Sequence, residues 1–151
     1  MTDFDTQDPE YETRVRASFA RQRVMETIGA ELTKIAPGEV EIALPFRADL
    51  TQQNGYLHAG IVAAIVDSAC GYAAMSLAPV GGEVLSIEFK LNLLSPAKGE
   101  RFVARAVVKR AGRNVSVCTG DLFALGGDGA EKLVATMLAT MMNVAGQATA
   151  R

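Results

Sequence analysis

The stretch at residues 54–78, NGYLHAGIVAAIVDSACGYAAMSLA, constrains this chain more than any other. It opens on a polar turn, Asn54-Gly55, carries the only histidine, His58, and continues as a long apolar run broken by one charge, Asp67. Pro79 and Gly81-Gly82 close it, as proline and glycine close helices. Ala, Leu and Met favour a helix, although Ile61, Val62, Ile65 and Val66 are β-branched. An apolar run longer than about twelve residues favours helix over strand. A helix apolar nearly all round is buried on most sides, so a carboxylate within it needs a reason.

A run of this length could in principle span a bilayer. Against that, Asp67 at mid-span costs roughly 2.5 to 3.5 kcal/mol on insertion scales. The run is rich in Ala and Gly, and the chain offers no second span and no flanking Lys or Arg cluster. Within a soluble fold, Asp67 has two readings: a structural acid paired with backbone or an Arg, or a site residue. Its helical neighbours at three, four and seven residues include Gly60, Ala63, Ala64, Cys70, Gly71 and Ala74, all small. They make a narrow, shallow face that suits a ligand or a closely packed backbone.

His58 stands just before the helix, and Ala59 and Gly60 begin it. The first N–H groups of a helix lack internal partners and point outward, where the dipole favours negative charge. They can serve a carbonyl oxygen that becomes an oxyanion. Asp67, however, lies eight residues beyond Ala59, about 12 Å along the axis. An acid that far away cannot act on a carbonyl held by its own helix start. If both belong to one site, two chains must supply it, their helices side by side and antiparallel, as in a two-fold dimer.

The remainder reads as one domain of 151 residues with an ordinary balance of 49% hydrophobic and 21% charged residues. A net charge of −2 argues against a nucleic-acid binder. Cys70 and Cys118 are too few for a disulfide framework and lack zinc-site spacing, so no metal ligands are expected. With no signal-like N-terminus, a cytoplasmic protein with reduced thiols is expected. Residues 1–9 read as a poorly ordered acidic tail and 10–28 as an amphipathic helix through Val15, Phe19, Val24, Met25 and Ile28. Residues 30–35 and 39–45 alternate around Pro37-Gly38 as a hairpin. Residues 84–94 (VLSIEFKLNLL) alternate with Leu85, Ile87, Phe89, Leu91 and Leu93 on one face. After the Ser95–Gly99 turn come strands at 101–110, 114–125 and 133–144, which suggest an antiparallel meander. A buried helix with one long antiparallel sheet is an α+β layout. The main domain covers 29–144, and 145–151 form a C-terminal tail.

A hairpin, one long apolar helix and a wrapping sheet resemble the hotdog fold. Within it, N-G-x-L-H-A-G at Asn54–Gly60, Asp67 nine residues after His58, and L-S-I-E-F…L-L-S-P-A-K-G-E at Leu85–Glu100 resemble the phenylacetate-pathway (PaaI-like) type of acyl-CoA thioesterase. The resemblance covers about Gly29 to Asn143. It departs at Ala59, where that family usually has the first Gly of His-Gly-Gly. Only the backbone N–H is needed there, so Ala keeps the donor while altering the local backbone freedom.

The resemblance implies a thioester hydrolase with no cofactor beyond the coenzyme A of its substrate, assembled as a homodimer or a dimer-of-dimers homotetramer. Asp67 would be general base or nucleophile, and Ala59, with Gly60 beside it at the helix start, would polarise the carbonyl. Asn54 and His58 would orient substrate or water, or simply stabilise the turn. Ser86 would position water near Asp67, or be a solvent-side strand residue. Leu57, Ile61 and Tyr72 would line an acyl channel. Lys98, Arg101, Lys109, Arg110 and Arg113, at the ends of two neighbouring strands, would meet the nucleotide phosphates, or be solvated turn residues. The alternatives are a hotdog hydratase or dehydratase acting on acyl-CoA or acyl-carrier-protein substrates, and a non-catalytic acyl-CoA binder.

Overall fold

A computed structural model describes residues 3–145. The apolar run forms α3, Ala59–Met75. Around it lies a six-stranded antiparallel sheet, in the order β1-β2-β4-β5-β6-β3. The strands are β1 (Glu31–Ala36), β2 (Glu39–Pro45), β3 (Gly82–Leu93), β4 (Arg101–Ala111), β5 (Val115–Leu125) and β6 (Glu131–Ala145). Ile65, Val66, Ala69, Cys70 and Ala73 of α3 are fully buried, against Phe102, Ala104, Cys118, Leu122, Met137 and Met141 of the sheet. This is the α+β hotdog layout.

The meander is only partly as expected. β4, β5 and β6 follow one another, but β3 pairs with β6 rather than β4 and forms an edge. The reason lies in residues 94–100. Leu94 and Ser95 donate their N–H groups to Val134 O, Ala97 O accepts from Leu57 N, and Phe46 donates to Glu100 O. These bonds carry the chain across the end of the sheet instead of folding it back as a hairpin.

The apolar stripe of β3 does not stay on one face either. Its register against β6 slips between Ser86 and Glu88. A bulge of this kind turns the alternation over. Leu85 therefore stands opposite Met142 on the outer face, both exposed, whereas Phe89, Leu91 and Leu93 stand opposite the buried Ala139, Met137 and Ala135 on the helix side. The same slip lets Ser86, opposite Met141, face the helix.

Helix and sheet are in close contact at Gly120 of β5. A methyl group there would lie 2.6 Å from Val66 Cγ1 and 2.9 Å from Cys70 Sγ. Overpacking of this kind costs about 1–3 kcal/mol. Gly120→Ala is expected to lose about that much in urea unfolding with an unchanged m-value.

The single N-terminal helix expected at 10–28 is two, α1 (Tyr11–Arg21) and α2 (Arg23–Ile28). They divide at Gln22, whose backbone is extended (ψ 91°) and whose side chain turns toward α3. Val15, Met25 and Ile28 are buried and Phe19 packs edge-on to Tyr72, but Val24 faces solvent. The tail expected to be loose is docked from Phe4 onward. Phe4 packs at Gly38, Thr6 Oγ1 donates to Ser76 O, Gln7 Nε2 donates to Leu77 O, and Asp8 is buried beside Arg14. Its polar residues find partners in the unpaired carbonyls at the end of α3. Residues 1–2 and 146–151 lie outside the described residues, and Ala145 ends β6.

Candidate active site

The start of α3 is held by its preceding turn. His58 is the N-cap: its N–H donates to Leu50 O at 3.0 Å, and its Nδ1 accepts from Gly60 N at 2.8 Å. A ring nitrogen that accepts carries no proton, so the neutral ring has its proton on Nε2. Gly60 makes room for this arrangement, since a methyl group there would sit 3.0 Å from Nδ1. The Asn54-Gly55 turn is organised by Gln52. Its Oε1 accepts from the N–H groups of Asn54 and Tyr56, and its own N–H donates to Tyr56 O. Gly55 takes φ +80°, a conformation suited to glycine. Sequence reasoning missed Gln52. The available signal was a side-chain carbonyl two residues before an Asn-Gly turn, within reach of its N–H groups. Asn54 contributes its N–H to this turn, while its side chain is exposed and makes no hydrogen bond among the described residues.

The Ala59 N–H has no partner among the described residues. Ala59 lines a cavity of about 440 Å³ with Gln52, Leu57, Val62, Leu93 and Ala97. An unpaired helix-start donor in such a cavity is poised for an anionic or polarised oxygen.

Asp67 lies two turns further on, partly exposed, on the stripe of Gly60, Ala63, Ala64 and Gly71 that is the one incompletely buried side of α3. Ser86 Oγ donates to Asp67 Oδ1 at 2.7 Å. The strand bulge described above makes this contact possible. Asp67 borders a second cavity of about 150 Å³, shared with Ser18, Gln22, Ser68, Tyr72 and Glu83. This cavity shares no lining residue with the first. One chain therefore carries two separate features, an acid with its hydroxyl partner and a helix-start donor, about 12 Å apart along the helix.

The other expected site residues divide between these places. Leu57 lines the first cavity and Tyr72 the second, while Ile61 packs against the core and borders neither. The three do not form one channel within a chain. The basic residues do not form one cluster either. Lys98 follows Ala97 of the first cavity's lining and Arg101 begins β4, whereas Lys109, Arg110 and Arg113 sit at its far end and in the following turn. Eight residues of strand separate Arg101 from Lys109, about 26 Å. The sequence places all five near turns, but not at which end of a strand each turn lies.

Among the described residues no three His, Cys, Asp or Glu side chains converge as a metal site. Cys70 and Cys118 are free and buried, and burial pushes the Cys118 thiol up to about 12 and the Cys70 thiol upward as well. The thiolate is the reactive form. Both cysteines are expected to resist iodoacetamide at pH 8 in the folded protein and to react on unfolding, as thiol counting by mass spectrometry would show. No helix is long and apolar enough to cross a membrane among the described residues.

Comparison with known proteins agrees with this architecture. The sequence profile of the Thioesterase superfamily matches residues 54–131, just over half the chain. A crystal structure of a thioesterase family protein from Silicibacter pomeroyi superposes with TM-score 0.88 at 51% identity, covering 90% of this chain and 99% of that one. Human acyl-coenzyme A thioesterase 13 is 28% identical over 108 residues, 70% of this chain and 76% of the relative. The PaaI protein of the E. coli phenylacetic acid degradation operon shares the fold, with TM-score 0.81 at 16% identity over 94% of this chain and 99% of that one. Profile, fold and relatives agree: the chain belongs to the thioesterase superfamily and is a hotdog-fold thioesterase.

Proposed function

We propose that this protein hydrolyses an acyl-CoA thioester to the free acid and coenzyme A in a site shared by two subunits. The observation that carries the reading is the division of the catalytic groups. Asp67 and the free Ala59 N–H lie on one helix, too far apart to meet on one carbonyl, and open into separate cavities. The flank between them is uncovered. The small-residue stripe of α3 is partly exposed, and beside it Phe89 and Leu93 of the edge strand are 42% and 56% exposed on the helix side. A second copy, with its helix antiparallel and β3 against β3, would cover this flank and satisfy the strand edge. It would bring Asp67 of one chain to the Ala59 cavity of the other. The exposed outer-face row of Leu85, Met142 and Val115 would serve a second contact, in a dimer of dimers.

In this site the thioester oxygen accepts from Ala59 N–H. Ser86 holds one oxygen of Asp67, and the other takes a proton from water as the water oxygen adds to the carbonyl carbon. Collapse of the tetrahedral intermediate breaks the C–S bond, and the leaving thiolate recovers the proton. If Asp67 attacks directly, the same geometry gives an acyl anhydride that water then opens. Lys98, next to Ala97 of the Ala59 cavity, and Arg101 at the start of β4 would meet the coenzyme phosphates.

Ala59→Pro tests the donor. Proline is well tolerated at the first helical position, and the extended backbone of His58 (ψ 137°) already suits a following proline. The substitution removes little but the N–H. It is expected to lower kcat about 10²- to 10³-fold, read as free-thiol release from acyl-CoAs. Unchanged kcat would remove Ala59 from the reaction. Bound acyl-CoA that the wild type never turns over would overturn hydrolysis itself.

A further inference from the structure

The cavity beside Asp67 is not the apolar slot that a plain hydrocarbon would want. The break between α1 and α2 sends the Gln22 side chain into it, where Nε2 donates to Ser68 Oγ at 3.0 Å and Oε1 accepts from Tyr72 OH at 3.2 Å. Ser18 Oγ approaches Tyr72 OH at 3.5 Å. This network leaves capacity unused. Gln22 has a second N–H, and Ser68, only 7% exposed, accepts from Gln22 but donates to no partner among the described residues. Glu83 lines the same space with a carboxylate that makes no ion pair or hydrogen bond among the described residues. No Lys or Arg lines it. The space therefore offers donors from Ser68 and Gln22, an acceptor from Glu83, and negative charge from Asp67 and Glu83. Unused polar capacity on a buried group such as Ser68 is costly unless a partner completes it.

We propose that the acyl group hydrolysed here is short and carries a hydroxyl, which donates to Glu83 and accepts from Ser68 or Gln22. A hydroxyl does both through one oxygen. A carboxylate would meet two like charges, and a methyl group would leave the donors unpaired. The cavity of about 150 Å³ on one chain is roughly the size of a benzene ring and suits a small acyl group. This inference rests on the hydrolase reading and deepens it by naming the substrate class. It also gives the N-terminal helices a role, since Gln22 and Ser18 are their contribution to the site.

The test compares kcat/KM of the full-length protein on butyryl-, 3-hydroxybutyryl- and succinyl-CoA, which share a four-carbon acyl chain. The hydroxylated substrate is expected to exceed butyryl by on the order of tenfold or more, with succinyl slowest. Ser68→Ala and Gln22→Met are expected to pull the hydroxybutyryl-to-butyryl ratio toward one. Turnover with a wild-type ratio at or below one, or a ratio unmoved by both substitutions, overturns this inference and leaves hydrolysis standing. No turnover on any of the three, with the thioesters bound, overturns the hydrolase reading and this inference together.

Discussion

Replacing Asp67 with Asn is expected to leave the protein folded and to lower kcat by about 10²- to 10⁴-fold, the range typical of a lost acid–base group. The substitution keeps the shape of the side chain and an oxygen to accept from Ser86 Oγ, now 2.7 Å from Asp67 Oδ1. What disappears is the capacity to take a proton from water or to attack the carbonyl. KM is expected to change little, because in the proposed mechanism the acid acts on the transition state rather than on the bound thioester. The alternative reading, a structural acid, makes the opposite forecast. Asp67 is partly exposed and bonded to a single hydroxyl rather than to an Arg, so a structural role would appear as lost stability with activity retained per folded molecule. Free-thiol release, together with urea unfolding of the same preparation, separates the two.

The second large effect is on stability, at the far end of the same helix. Arg14 reaches from α1 to the C-terminus of α3. Nη1 donates to Pro79 O and Gly82 O, and Nη2 donates to Ala78 O and Met75 O. Nε lies 2.9 Å from Asp8 Oδ2, with both side chains largely buried. The last carbonyls of a helix have no internal partners, and a cation there also meets the negative end of the dipole. Ser76 adds to the clamp, its Oγ accepting from Gly38 N and donating to Ala73 O. Arg14→Ala strands Asp8 as an uncompensated buried charge and takes a donor from four carbonyls, of which Met75 O and Pro79 O still accept from Ala78 N and Gly82 N. Breaking a buried pair from one side costs about 3–5 kcal/mol. Urea unfolding is expected to show a loss of that order, and a loss under about 1 kcal/mol, the worth of an exposed pair, would show the clamp to be ornamental. Asp8→Asn, which keeps the size of the group and removes its charge, is expected to cost less than Arg14→Ala because the carbonyl bonds survive.

The two predictions bear on what a sequence of this kind makes readable. The buried helix was legible because its apolar run is long and ends in Pro79 and Gly81-Gly82. Asp67 stood out because a single charge in such a run is costly, and the 12 Å argument followed from helical rise alone. The strands were legible from alternation, and their limits differ from the observed ones by a few residues. Their order was not. Nothing in the alternation of β3 says whether it pairs with β4 or β6, because that depends on how residues 94–100 are held by Val134 and Leu57, both distant in sequence. The bulge after Ser86 was hidden for a related reason: Leu85, Ile87, Phe89, Leu91 and Leu93 form an unbroken stripe in sequence, and only pairing with β6 shows the slip. Without that slip Ser86 would not face Asp67. The division of the N-terminal helix at Gln22 was equally invisible, since Gln is a good helix former, and its turn inward depends on Ser68 and Tyr72. The acidic, polar composition of the tail gives no sign of its docking, because its partners are carbonyls at the end of a helix some seventy residues on.

The central claim is that one site is made by two chains, and complementation tests it most directly. Asp67→Asn and Ala59→Pro subunits, each expected to be nearly inactive alone, are unfolded together, refolded as a mixture and assayed for thiol release. In a two-fold dimer one site of each mixed pair receives Asp67 from one chain and the Ala59 N–H from the other, both intact. Random pairing then predicts recovery of about a quarter of the wild-type activity. Activity no greater than the sum of the two separate variants, with mixed dimers present by mass, would place both groups in the service of a single chain and contradict the account.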